Sequence, residues 1–225
     1  MSALLIVVTN AGLVDGTPTT GLWFSEFSEP YEVLVAAGID LKVASPRGGP
    51  TPIDPRGYPR ADEIAHVRDA LEVLNATAPL SGITHDTFDG IFMPGGHGPM
   101  FDLAIHPGLK ALIAEFWTAG KAVASVCHGP ASLLDVVLPG GTTLLRGRRV
   151  TGFSHAEDQQ DALFSHMPFS LQDRMTLEGA NFQEGPAHQP HVEVDGRLVT
   201  GQNPQSGRAT AEALITVLKK ERRSS

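Results

Sequence analysis

Only one cysteine, Cys127, occurs in the 225 residues. No intrachain disulfide can form, so a reducing cytoplasm is the expected compartment. Basic residues are also scarce: 17 Lys and Arg against 25 Asp and Glu give a formal net charge of −8. Phosphate binding needs a basic surface, so a nucleic-acid partner is not expected. Long apolar runs are missing too, and none approaches the ~18 residues that a membrane span requires. The opening run Leu4-Leu5-Ile6-Val7-Val8 lacks a basic flank and is too short for a signal peptide, so it reads as a buried strand. Neither a repeat nor a low-complexity tract is visible.

What remains is an ordinary globular composition at a length that suits one domain over 1–225. Short apolar runs alternate with helix-like stretches, the pattern of a mostly parallel sheet covered by helices on both faces. Strands are expected at Leu4 to Val8, Leu41 to Ala44, Ile91 to Met93, Ala122 to Val126 and Arg197 to Thr200. Helices are expected at Gly21 to Ala37, Leu109 to Ala119, Pro130 to Val136 and Arg208 to Lys220, and a hairpin around Arg146-Gly147-Arg148. The stretch 46–79, rich in Pro, Gly and charge, is too long for a plain connection and reads as an inserted lid holding one helix near Ala61 to Leu74.

Ligands of doubly wound sheets bind at the carboxyl ends of the strands, where Cys127 stands. The turn Ser125-Val126-Cys127-His128-Gly129-Pro130 has the small neighbours that a strand-to-helix nucleophile elbow requires. A helix N-terminus there would favour the thiolate. A free cysteine is commonly just a small buried hydrophobe. The flanking His-Gly and the strand-end position favour a catalytic thiol. His128 is the candidate base or proton shuttle, and its amide is one candidate oxyanion donor. The Gly95-Gly96 turn after another strand offers the second.

In chain order, Thr20-Gly21 with Glu26 and Pro30, Pro94-Gly95-Gly96-His97-Gly98 with Phe101-Asp102, Ala124 to Pro130, Val150-Thr151-Gly152-Phe153 and Asp195 to Pro204 together resemble the ThiJ/PfpI superfamily, a class I glutamine amidotransferase-like group. Within it the chain is most similar to glutathione-independent glyoxalases (glyoxalase III), also described as heat-shock chaperones. The resemblance implies a flavodoxin-like fold, Cys127 as nucleophile, and Glu26 as the carboxyl group that meets its sulfur. It also implies that His128 is oriented by an acid after Phe153, either Asp158 or, with a one-residue loop shift, Glu157.

The implied reaction is that of a cofactor-free lyase of the D-lactate dehydratase type. Cys127 would add to an α-oxoaldehyde such as methylglyoxal, and His128 would move a proton between the two carbons to yield a 2-hydroxy acid. The alternatives are a holdase chaperone or redox sensor, and a cysteine hydrolase (deglycase, amidase or peptidase). A homodimer is expected by the same resemblance. The pair His191-Val192-Glu193 mimics an amidotransferase His-x-Glu, but its alternating strand puts it on a solvated face. His155 is expected on the surface. The scattered histidines show no helical H-x-x-x-H spacing, so no metal is expected.

Overall fold

The computed structural model describes the backbone of residues 2–12, 16 and 18–224, and side chains through residue 221. Part of the loop expected after Gly12, and the side chains of Arg222 and Arg223, lie outside the described residues. Seven strands form the main sheet: β1 (Ala3–Val7), β2 (Asp40–Ser45), β3 (Ala78–Pro79), β4 (Gly90–Met93), β5 (Ala122–Val126), β9 (Leu198–Gly201) and β8 (Val192–Asp195). Their spatial order is β3-β2-β1-β4-β5-β9-β8, all parallel except the edge pair β8–β9, which turns at Gly196 with φ +62°. This is the mostly parallel, doubly wound, flavodoxin-like arrangement.

The strands read as continuous apolar runs because both faces are covered. Along β1, Leu5 and Val7 pack toward α3 (Pro107–Thr118) and α5 (Leu171–Leu177), whereas Leu4 and Ile6 pack toward α1 (Ser25–Ala36), α2 (Arg68–Asn75) and α6 (Gly207–Ser224). β2 and β4 flank β1 on opposite sides, so the winding reverses there and a crevice opens at the strand ends.

Four local expectations change. Helix α1 starts at Ser25 rather than Gly21, because Leu22 exchanges backbone hydrogen bonds with Pro52 and Asp54 of the 46–79 stretch. That stretch makes turns through 61–66 and becomes helical only at Arg68. Its tail, β3, extends the main sheet at one edge. After Cys127 the chain forms a short 3-10 helix, Gly129–Leu133, not the expected α-helix. Instead of a hairpin near 146–148, β6 (Arg149–Val150) pairs in parallel with β7 (Asn181–Phe182).

Candidate active site

Strand β5 is wholly buried and ends at Cys127, whose φ of +60° is unusual for a residue with a side chain. Both backbone partners of Cys127 hold that conformation: its N–H donates to Gly201 O (3.0 Å) and its carbonyl accepts from Phe153 N–H (2.8 Å). The bend needs a glycine two residues on, since a Cβ on Gly129 would lie 2.3 Å from Met93 O. Cys127 is 3% exposed.

Two further segments converge on the sulfur. Glu26, in the first turn of α1, is fully buried and accepts from Gly95 N–H at 2.9 Å through Oε2. Its carboxyl group lies against the Cys127 thiol, and the amides of Gly96 and His128 point at the same sulfur. Gly95 is required here: a Cβ would stand 2.7 Å from His128 N and 2.8 Å from Glu26 Oε2.

Burial sets the protonation of both groups. It pushes the Glu26 carboxyl up to about 8, an effect only partly offset by Cys127 and the Gly95 amide. It also drives the Cys127 thiol well above its ordinary range, with the Glu26 charge adding to it and the two amides opposing. Burial thus works against the thiolate expected at a helix N-terminus, and the following helix is one short 3-10 segment.

His128 continues the line. Its Nδ1 lies 3.6 Å from Cys127 Sγ and its Nε2 3.0 Å from Asp158 Oδ1, all three residues being buried. Asp158 is held in α4 (His155–Asp158). A carboxylate partner at Nε2 places the ring proton there and leaves the Nδ1 lone pair facing the thiol. The ring is clamped between His97 and Phe153, with centroids 4.7 and 4.5 Å away.

Glu157 faces the other way. It closes a capping box with Ser154 and accepts from Gln202 Nε2 (2.9 Å), Asn203 Nδ2 (2.8 Å) and the His188 amide (2.8 Å). The structure thus brings Cys127, His128, Asp158, Glu26, Gly95 and Gly96 together and leaves Glu157 outside. His155 is half-buried and bonded to Gln159 and Gln172. His191 and Glu193 pair at 3.2 Å on the half-buried edge strand, away from the sulfur.

A cavity of about 160 Å³ opens over Cys127, walled by Trp23, His97, Phe153, Asp161, His188 and Gln205 among others. A water molecule's share of liquid is roughly 30 Å³, so a molecule of a few heavy atoms fits. No sequence motif points to a role for Asp161, for Arg56 beside it, or for His188. Nothing in their local spacing marks them, because they arrive from separate loops. Histidine spacing likewise passed over His97, His128 and Asp158, whose ligand-type atoms lie within 4.8 Å of one another. Those three residues could chelate a cation. Here His128 Nε2 is already paired with Asp158, and Arg56 donates to His97 Nδ1 at 3.1 Å, an arrangement suited to handling protons.

Comparison with known proteins places this geometry. The pattern of the DJ-1/PfpI family matches residues 19–217. The glutathione-independent glyoxalase hsp3102 of Schizosaccharomyces pombe is 32% identical over 217 residues, spanning 88% of this chain and 89% of that protein. Among solved structures, Rapid Encystment Protein 24 kDa of Francisella tularensis superposes with a TM-score of 0.91 at 29% identity, covering 97% of this chain and 99% of that one. Glyoxalase III of Candida albicans superposes with a TM-score of 0.86 at 26% identity, covering 96% and 97%. The buried cysteine elbow, with its acid and its histidine, sits on a chain that belongs to the DJ-1/PfpI family.

Proposed function

We propose that this protein is a glutathione-independent glyoxalase that converts methylglyoxal or a related small α-oxoaldehyde into a 2-hydroxy acid, with Cys127 as nucleophile. The observation that carries the reading is the buried line Cys127–His128–Asp158 under a cavity of about 160 Å³. The hsp3102 and Candida albicans relatives, which bear glyoxalase names, support the substrate class.

The thiol is neutral at rest, so its proton leaves as sulfur attacks the aldehyde carbon. Nδ1 of His128 takes that proton, and the new oxyanion is held by the Gly96 and His128 amides. Proton return to that oxygen gives a neutral hemithioacetal and regenerates the base. His128 then removes the hydrogen on the same carbon, and the electron pair passes through an enediol to the neighbouring carbonyl oxygen. The hydroxyl proton of the first carbon passes to that oxygen, and redelivery of the abstracted proton from His128 to the second carbon leaves a 2-hydroxyacyl thioester. Water cleaves its C–S bond, releases the acid and restores the thiol. Asp158 keeps Nδ1 free as acceptor by holding the proton on Nε2. Protonated Glu26 avoids placing a second negative charge beside the sulfur.

No step in this sequence calls for glutathione, a cofactor or a metal. The reading extends to a cytoplasmic homodimer whose 46–79 segment roofs the pocket. The test is methylglyoxal consumption without glutathione, with the product followed by NMR in D₂O. Wild type should form the 2-hydroxy acid, and Cys127→Ala should form none while keeping its circular-dichroism spectrum. Undiminished product from Cys127→Ala would refute the mechanism.

A further inference from the structure

Arg56 is the most heavily bonded side chain beside the cavity, and the reaction above does not use it. It belongs to the 46–79 stretch and sits in a short 3-10 turn, Pro55–Gly57. Its Nε and Nη2 donate to the two oxygens of Asp54 at 3.0 and 2.7 Å. Its Nη1 donates to Asp161 at 3.0 Å, and Nη2 also reaches His97 Nδ1 at 3.1 Å. The guanidinium lies 5.9 Å from the centroid of Trp23. Asp54 is fully buried and receives Thr20 Oγ1 at 2.8 Å, which gives the Thr20-Gly21 motif a structural purpose. Gly21 allows the close approach, since a Cβ there would lie 2.3 Å from Pro52 O.

The contact with His97 is the informative one. A guanidinium only donates, so the His97 Nδ1 that meets it carries no proton, and the proton is on Nε2. That Nε2 is buried, has no hydrogen-bond partner, and stands 3.6 Å from Asp161 Oδ1. The His97 ring in turn lies against His128. Five ionisable groups face His97: Asp54, Arg56, His128, Asp158 and Asp161. Burial and the neighbouring His128 lower its pKa to about 3, and Arg56 contributes in the same direction. A phenylalanine would also fill this place against His128, but it would offer Arg56 no acceptor.

We infer that Arg56 is a positioning residue for proton transfer: it fixes His97 as an uncharged plate against the catalytic imidazole and, through that plate, sets the orientation of His128. The inference rests on the glyoxalase reading for its kinetic consequence, but not for its structural one. When His128 gains a proton, a second positive ring 4.7 Å away would oppose it. Arg56 keeps its own charge on the far side of His97, compensated by Asp54 and Asp161.

The test is a double-mutant cycle on the full chain with methylglyoxal and no glutathione. Arg56→Met should lower kcat by about tenfold to a hundredfold with KM nearly unchanged, the signature of a misplaced base. His97→Phe keeps the plate and should retain measurable turnover. In the His97→Phe background, Arg56→Met should cost nothing further, because its route to His128 is already cut. Losses that multiply would overturn the inference, as would full kcat in Arg56→Met. Arg56→Met leaves buried Asp54 without its cation, so Arg56→Lys supplies a variant that keeps the charge and the fold. It should still lose kcat, and full kcat in that variant would also overturn the inference. Long-range ¹H–¹⁵N spectra of the His128 ring provide a readout that needs no activity. Wild type should show one Nε2–H form and Arg56→Lys a mixture; identical ring signals would defeat the inference. A wild type inert to methylglyoxal would sink the glyoxalase reading instead, leaving the inference to those ring signals.

Discussion

Cys127 and Glu26 share one dry site, and desolvation acts on both in the same sense, favouring their neutral forms. In the proposed reaction Cys127 therefore needs a partner that takes its proton during attack, and His128 Nδ1 lies 3.6 Å from its sulfur. Iodoacetamide should alkylate Cys127 slowly at pH 7 and faster as pH rises; rapid alkylation independent of pH would contradict a buried neutral thiol. Glu26 leaves a stability signature as well. Its folded pKa of about 8 exceeds the ordinary 4.5, so between those values the folded state holds a proton that the unfolded state has released. Stability from this group is complete below about pH 4.5 and is lost as pH rises toward 8, with a slope of about 1.4 kcal/mol per unit. Glu26→Gln should flatten that loss, as read from urea midpoints between pH 6.5 and 8. An equal slope in the two proteins would exclude a buried, protonated Glu26. Asp158→Asn replaces the carboxylate on His128 Nε2 with an amide that no longer fixes the ring proton there. A fall in kcat of about 10²- to 10⁴-fold without unfolding is expected, by analogy with triads whose orienting acid is neutralised.

Short connections do most of the positioning among the elements. The turn after β4 brings Gly95 so close to His128 N, Val126 O and Glu26 Oε2 that one methyl group would push the two walls apart. Gly95→Ala should reduce turnover far more than it lowers the melting temperature; wild-type kcat would show that the wall can yield. Glu157 acts as an anchor between segments. It ties α4 to Gln202 and Asn203 after β9 and to the His188 loop at the cavity rim. Glu157→Ala would leave the Gln202 and Asn203 side-chain amides only their bonds to Gly185 O and Gln189 O, removing one acceptor from each at about 1–3 kcal/mol. Its urea midpoint should drop clearly, along with activity, because Asp158 is the next residue. A midpoint equal to wild type would show that those donors find other partners.

Across the whole molecule, the strand order puts the winding reversal at β1 and β4, beside the β5 end that carries the sulfur. Strands buried on both faces should open only with global unfolding. Amides of β1, β4 and β5 should therefore be the slowest to exchange with D₂O, and those of the exposed turns at 60–66 among the fastest. Comparable protection in the two regions would argue that the turns at 60–66 are held as firmly as the buried sheet.

Sequence by itself determined the architecture, because buried parallel strands must be apolar throughout and covering helices amphipathic, and both patterns are local. It also determined the cysteine elbow, since the turn at Ser125 to Pro130 tolerates only small neighbours, and motif order drew Glu26 and His128 to it. Local pattern was misleading where a distant segment competed for the backbone, as at Gly21 to Phe24 and at residues 61–66. The choice between Asp158 and Glu157 was left to the tertiary structure. Adjacent residues in a helical turn point in different directions, and only packing decides which one meets His128. The same holds for Arg56, His97 and Asp161, which lie far apart in the chain and become a site only when the sheet brings their loops to one crevice. Packing also bears on the ionisation of Cys127: a helix N-terminus favours a thiolate, whereas burial around the sulfur pushes its pKa up.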